Sequence, residues 1–277
     1  MEIIKTITQM KYTRSQLEEP VGFVPTMGYL HEGHLSLIRG AHKENVSVVT
    51  SIFVNPTQFG PHEDFKTYPR DTERDLSLLE EERCDVVFIP AVEEIYPNKF
   101  DSWIEVGEIT KKLEGAHRKD HFRGVTTIVG MLFNIIQPTA AYFGQKDAQQ
   151  AIVIKKMVSD LNMNLKVITL PTIRESDGLA MSSRNSYLNP EERSQAKVLF
   201  QALKLAQKHY LNNEKDSNRI RQEMTRLIRQ QPLANIDYIS IANNNTLEEQ
   251  SVIEPPTLIS LAVRIGKTRL IDNVLIE

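Results

Sequence analysis

Five continuous apolar runs alternate with helical patterns through the first 171 residues. They are VGFVPT at 21 to 26, VSVVTSIFVN at 46 to 55, CDVVFIP at 84 to 90, AAYFGQ at 140 to 145 and LKVITLP at 165 to 171. A strand with one face in water alternates apolar and polar residues, whereas a strand covered on both faces is apolar throughout. The stretches between the runs therefore have to supply covering layers, and residues 34 to 44, 71 to 83, 126 to 136 and 147 to 162 carry the spacing of crossover helices. This pattern predicts an α/β fold with a doubly wound, Rossmann-like parallel sheet over residues 1 to 175. In such sheets ligands bind beyond the carboxyl ends of the strands.

Beyond residue 175 the texture changes. NPEERSQAKVLFQALKLAQKHYL and DSNRIRQEMTRLIRQQ read as long amphipathic helices, and IDYISIAN and LISLAVRIGKTRLIDNVLIE as strands. Residues 176 to 277 are expected to form a smaller α+β domain that closes over the active site. Gly266-Lys267-Thr268 resembles the end of a phosphate-binding loop, but Leu261 stands where its first glycine belongs and apolar strand surrounds it.

The 33 Lys+Arg nearly balance the 36 Asp+Glu, for a formal charge of −3. That excludes an affinity built on neutralising nucleic-acid phosphates, so no nucleic-acid partner is expected. The distribution of residues is more telling. Eleven of the 12 glycines lie at or before Gly178, and six of the seven histidines at or before His121. Glycine permits sharp bends and close ligand approach, and histidine handles protons near neutral pH, so the first two thirds should hold the chemistry. The single cysteine, Cys84, reads as a small residue on a buried strand. The opening MEIIKTITQM lacks a basic segment followed by an apolar stretch, and no run of 18 apolar residues occurs, so a cytoplasmic protein with no membrane partner is expected.

The first chemical candidate is PTMGYLHEGHLSLI, residues 25 to 38, which leaves the first strand run and enters a helix. Gly28 and Gly33 allow close backbone approach, and the helix start offers unpaired N–H groups beside a positive dipole end, a natural phosphate site. His31 and His34 share one face of the first turn. The zinc protease signature needs histidines four apart, and these are three apart; a dinucleotide fingerprint needs a glycine triple that is absent. Two histidines at a plain helix cap remain the alternative.

Further candidates follow the later strands. Asn55 and Gln58 suit a hydroxylated or carboxylate ligand, or are turn-capping amides. Asp71 and Asp75 can carry Mg²⁺ beside phosphates, or serve as helix N-terminal acids. Arg118, His121 and Arg123 suggest anion binding, or a solvated basic loop. In FGQKDAQQ, Lys146 can hold a phosphate and Asp147 a ribose hydroxyl, unless Asp147 is only a helix cap. Ser182, Ser183 and Arg184, in a loop with Gly178 at the domain junction, can solvate an oligophosphate and move with closure.

PTMGYLHEGH, SIFVNPTQFGP, DHFRGV, FGQKDAQQ and ESDGLAMSSRN, in this order, resemble the pantoate:β-alanine ligase family, densely over residues 20 to 190. Lys119-Asp120 stands where that family more usually has Pro-Gly. The resemblance implies a nucleotidylyltransferase-type fold related to class I aminoacyl-tRNA synthetases, with HEGH in the HIGH part and MSSR in the KMSKS part. It implies condensation of pantoate with β-alanine at the expense of ATP, through a pantoyl adenylate. His34, His31, Lys146 and Arg184 would be catalytic, with His34 the proton donor. Met27, Gly28, Tyr29, Leu30, His31, Glu32, Gly33 and His34 would contact ATP. So would Gly144, Gln145, Lys146, Asp147, Met181, Ser182, Ser183 and Arg184, with Ile173 lining the adenine through its backbone. Gln58 and Gln150 would hold pantoate, Gln58 also touching β-alanine, and Asn55, Arg118 and His121 would be secondary contacts. Mg²⁺ would arrive with ATP, Asp75 being its candidate protein ligand, and a homodimer would be the assembly. The alternative is a nucleotidylyltransferase acting on another small acid or a phosphate acceptor.

Overall fold

A computed structural model of the chain describes residues 1–61 and 63–277. These divide into two compact units, Met1–Gln145 with Gln149–Pro171, and Lys146–Ala148 with Thr172–Glu277. The sequence places the junction near residue 175; the packing puts it at 171/172 and hands three residues after the fourth apolar run, Lys146–Ala148, to the second unit.

In the first unit the strands are β1 (Glu2–Ile4), β2 (Val21–Thr26), β3 (Ser47–Ile52), β4 (Val86–Phe88), β5 (Ala140–Gly144) and β6 (Lys166–Leu170). The principal helices between them, in chain order, are α1 (Ile7–Arg14), α2 (Glu32–His42), α3 (Thr72–Glu81), α4 (Val92–Ile95), α5 (Glu114–His117), α6 (His121–Ile136) and α7 (Ala148–Asp160). The sheet runs β1-β4-β3-β2-β5-β6 and every pairing is parallel. The continuous apolar runs are explained by two cores. Phe23, Val49, Val86, Phe88, Ala141 and Phe143 face one cluster with α6, while Val24, Val48, Val87, Ala140 and Tyr142 face another with α2. Side chains alternate between the faces of a strand, so burying both demands apolar residues at every position.

From β2 the chain winds outward to β3 and β4, then returns to β5 beside β2. The switch point lies between the carboxyl ends of β2 and β5, where such sheets bind ligands. β1 has no sequence signal: it is three residues long, and only Ile4 is buried. α6 starts at His121, five residues before the expected helix, because its entry uses Asp120 in the left-handed region (φ 61°) with no side-chain cap.

The second unit packs α8 (Pro190–Ala196), α9 (Val198–Leu211) and α10 (Ser217–Ile228) with an antiparallel sheet, β7 (Ala234–Asn243), β8 (Thr257–Ile265) and β9 (Thr268–Ile276), around one core. The expected first helix is divided at Lys197, whose dihedrals tighten toward 3-10 geometry. Gly266 turns the β8–β9 hairpin at φ 57°, which accounts for its glycine without any phosphate.

Candidate active site

The turn after β2 is bent by two consecutive left-handed residues, Gly28 (φ 79°) and Tyr29 (φ 50°). A Cβ on Gly28 would meet Asp75 Oδ2 and Ile52 Cγ2 at 3.0 Å, so both conformation and space require glycine there. The bend aims the Tyr29 and Leu30 N–H groups at Asp75, whose Oδ2 and Oδ1 accept them at 2.7 Å each. Asp75 is 1% exposed; burial pushes its carboxyl up, against the pull of those N–H groups. Both oxygens are engaged in holding the turn, so Asp75 acts here as a structural acid. Asp71 caps α3 through the Arg74 N–H. Among the described residues no three His, Cys, Asp or Glu side chains come together as a metal nest.

α2 opens with an unusual cap. His31 is the N-cap and its Nδ1 accepts from Gly33 N at 3.2 Å, while His34 Nδ1 accepts from His31 N at 3.3 Å. The pair does reciprocally what Ser and Glu do in an ordinary capping box. An accepting Nδ1 leaves the proton of a neutral imidazole on Nε2, so both rings present an N–H donor on their other side. The ring centroids lie 4.1 Å apart. Glu32 pairs with Arg39 along the helix, and Arg74 lies over the Tyr29 ring while donating to Leu30 O. The arrangement offers two donors at a helix start, where the dipole favours an anion.

The turn after β3 is held differently. Asn55, 1% exposed, caps the 3-10 helix Pro56–Gln58, and its Oδ1 accepts from Thr57 and from the Tyr96 hydroxyl at 2.8 Å. Its Nδ2 donates to Gln58 Oε1 at 3.0 Å and to Gly124 O at 3.1 Å. Asn55 thus does what a turn-capping amide does, and orients Gln58, whose Nε2 reaches Met27 Sδ at 3.2 Å. Gly124 lets α6 approach: a Cβ there would lie 2.4 Å from Thr57 O. From the helix start, His121 Nδ1 meets Gln58 O at 2.9 Å and its Nε2 meets Arg118 Nη1 at 3.0 Å. Arg118 is gripped by Glu63 through two bonds of 2.7 and 2.8 Å. Burial first, and Arg118 second, hold the His121 imidazole down at about 4, so it is neutral near pH 7. Burial acts to raise Glu63, but the Arg118 bonds outweigh it and hold the carboxyl at about 2.

At the end of β5 a Cβ on Gly144 would meet nothing within 4 Å among the described residues. On α7, buried Gln149 accepts from Glu114 N and donates to Ile109 O and Lys112 O, while half-buried Gln150 takes no part in that network.

These geometries can be set beside known proteins. The family model described as Pantoate-beta-alanine ligase matches residues 2–275. The chain belongs to the pantoate–β-alanine ligase family. It is similar to the pantothenate synthetase of Herpetosiphon aurantiacus, 58% identical over 275 residues and 99% of each chain, and to that of Roseiflexus sp., 54% identical over the whole of both. Among solved structures, the pantothenate synthetase of Thermus thermophilus matches at a TM-score of 0.95 and 44% identity, covering 99% of each chain. The Francisella tularensis pantoate-beta-alanine ligase, described as complexed with beta-gamma ATP and beta-alanine, matches at 0.82 and 37%, covering 99% of this chain and 97% of that one. The six-stranded parallel sheet with a small antiparallel C-terminal sheet is thus the fold of this ligase family.

Within the ligase fold the expected site residues divide between the units. Met27 to His34, Asn55, Gln58, Arg118, His121, Gly144, Gln145 and Gln150 belong to the first; Lys146, Asp147, Ile173 and Met181 to Arg184 belong to the second. In the second unit Lys146 Nζ lies 3.6 Å from Asp147 Oδ2, and the Lys146 carbonyl accepts from Asn273 Nδ2 at 2.9 Å. Ile173 O accepts from Met181 N, closing a hairpin whose turn is Gly178 (φ 94°). Ser182 caps the 3-10 helix Ser183–Tyr187 by accepting from Arg184 N at 3.2 Å. Beside the hairpin, Arg174 forms a two-pronged pair with buried Asp272 at 2.6 and 3.0 Å and lies over the Phe200 ring. Sequence reasoning did not single out Glu63, Tyr96, Asp272 and Asn273, which sit outside the motifs or far along the chain, nor Arg174, which stands at the edge of the last motif.

Proposed function

We propose that this chain condenses (R)-pantoate with β-alanine at the expense of ATP, releasing AMP and pyrophosphate and giving pantothenate. The observation that carries the reading is the His31–His34 cap at the start of α2, at the switch point of the sheet, which offers two imidazole N–H donors where a phosphate binds best. Membership of the ligase family supports it.

In the first step the pantoate carboxylate attacks the α-phosphorus, the bond to the pyrophosphate oxygen breaks, and negative charge spreads over the phosphoryl oxygens. Such a displacement needs positioning and charge stabilisation more than covalent chemistry. His34 and His31 supply N–H donors, with His34 as the proton donor to the leaving group, and Lys146 and Arg184 supply positive charge. In the second step the β-alanine amine attacks the acyl carbon of pantoyl adenylate and AMP leaves. Gln58 and Gln150 hold pantoate by amides that bind oxygen without acting as a base toward water, which protects the adenylate from hydrolysis. A divalent cation, read as Mg²⁺, would accompany ATP and would add positive charge at the phosphates. No described helix is long and apolar enough to cross a membrane. A cytoplasmic homodimer completes the reading.

The test is pantoate-dependent exchange of pyrophosphate into ATP, followed by AMP release that requires β-alanine. Nucleotidyl transfer to a phosphorylated acceptor, with no response to pantoate, overturns the reading.

A further inference from the structure

We propose that Glu63 is a positioning residue for the substrate-holding amide of Gln58, acting through Arg118 and His121. The inference rests on the reading of Gln58 as a pantoate- and β-alanine-binding residue given above. It starts from the grip of Glu63 on Arg118, Nε to Oε1 at 2.7 Å and Nη2 to Oε2 at 2.8 Å. A bidentate grip fixes the plane of a guanidinium as well as its position. The remaining Nη1 is thereby aimed at His121 Nε2, 3.0 Å away. A guanidinium only donates, so Nε2 accepts, the ring proton resides on Nδ1, and Nδ1 donates to the Gln58 carbonyl at 2.9 Å. That carbonyl belongs to the residue whose amide stands between Asn55 and Met27. His121 is 7% exposed, so bulk water cannot replace a lost partner.

Glu114 makes the role of Glu63 specific. It lies one turn before Arg118, with Oε2 3.9 Å from Nη1, and competes for the same guanidinium. With Glu63 neutralised, the guanidinium turns toward Glu114 and withdraws Nη1 from His121. The imidazole is then free to carry its proton on Nε2, and the Gln58 carbonyl loses its donor. The loss falls on the substrates Gln58 holds and spares ATP.

The experiment compares Glu63→Gln with Gln58→Ala in the full-length enzyme, by steady-state kinetics and by 15N NMR of the His121 ring. Glu63→Gln is expected to raise the KM for pantoate roughly tenfold, about the worth of one hydrogen bond, with the KM for ATP within about twofold and the enzyme still folded at the assay temperature. The His121 ring proton, on Nδ1 in the parent, is expected to redistribute toward Nε2, a change that a merely structural role would not produce. An unchanged KM for pantoate, an equal rise in the KM for ATP, or an unchanged His121 tautomer overturns the proposal. If Gln58→Ala raises the KM for pantoate and Glu63→Gln does not, the relay alone fails. If Gln58→Ala also leaves it unchanged, the reading of Gln58 fails and the proposal with it. Should Glu63→Gln melt early, Glu63→Asp, which keeps the charge and shortens the reach, is measured against the same outcomes.

Discussion

The turns after β2 and β3 leave neighbouring strands of one sheet, yet they are held in opposite ways. The turn after β2 is built almost entirely from its own residues: two left-handed positions, a cap whose partners are two and three residues apart, and one buried carboxylate, Asp75, from α3. The turn after β3 is held by partners 41, 63 and 69 residues away, namely Tyr96, His121 and Gly124. A turn that depends on one acid fails at one point. A turn that depends on a distributed network weakens by degrees, and it can be adjusted from a distance.

The sharpest way to break the first turn is Asp75→Asn. The substitution keeps the volume but turns an amide donor toward an N–H group that has an acceptor in the parent, leaving two buried N–H groups to share one oxygen. Bonds to a charged acceptor and the penalty for an unmatched buried amide together put the cost at about 3 kcal/mol or more. Urea unfolding measures it directly; a loss under about 1 kcal/mol would show that the turn holds itself without the acid.

Next in size is His34→Ala, which removes half of the cap and the donor proposed for the reacting phosphate. Adenylate formation should fall by about 10² or more, with the helix losing only about 1 kcal/mol. Single-turnover exchange at the parent rate would remove His34 from the chemistry. Asp75 and His34 thus separate two functions within one turn, since the first should lower stability and the second rate.

The contrast between the turns also governs what the sequence could reveal. The HEGH turn was legible because its glycines, histidines and helix start are contiguous, and strands β2 to β6 were legible because burial on both faces leaves continuous apolar runs. The second turn showed Asn55 and Gln58 but not what aims them, for Tyr96 and Glu63 belong to no local pattern. α6 began earlier than expected because its entry residue, Asp120, takes a conformation that periodicity does not register. Asp75 was noticed as an acid near the site, but its hold on the Tyr29 and Leu30 N–H groups was not, because a sequence displays charge and not which groups its oxygens face. The tie from Asn273 to the Lys146 carbonyl spans 127 positions and has no sequence signal.

The turns should also respond to pH with opposite signs. His121 is held down from its ordinary 6.5 to about 4, and Glu63 from 4.5 to about 2. A group depressed in the folded state contributes stability above its unfolded value and loses it as the pH falls through its folded one. The second turn should therefore weaken from pH 6.5 to 4 through His121 and from 4.5 to 2 through Glu63. Asp75 is raised above 3.8, so its contribution is present below that value and is lost as the pH rises through the folded one. Discounting Glu63 for its partial exposure, its limb is worth about 2 kcal/mol. Glu63→Gln should flatten the stability profile below about pH 4.5. Parallel profiles for parent and variant across that range would show that Glu63 is not held down.

The smallest effect concerns the residue that starts the distributed network. Asp120 enters α6 at φ 61°, in the left-handed region, and the resemblance noted above has glycine as the usual residue there. An L-residue in that conformation costs about 1–2 kcal/mol, less for Asp, whereas glycine adopts it freely but loses more backbone entropy on folding. The ion pair to Arg123, at 3.5 Å between largely exposed side chains, adds little to Asp. The balance predicts that Asp120→Gly stabilises the chain by about 0.5 kcal/mol, which thermal unfolding should show as a rise of about 1–2 °C. Because Asp120 makes no side-chain cap to α6, the KM for pantoate should stay where it is. A gain in stability with unchanged KM means the network depends on His121 and Glu63 rather than on how the helix is entered. A change in KM instead would make the entry itself part of what aims Gln58.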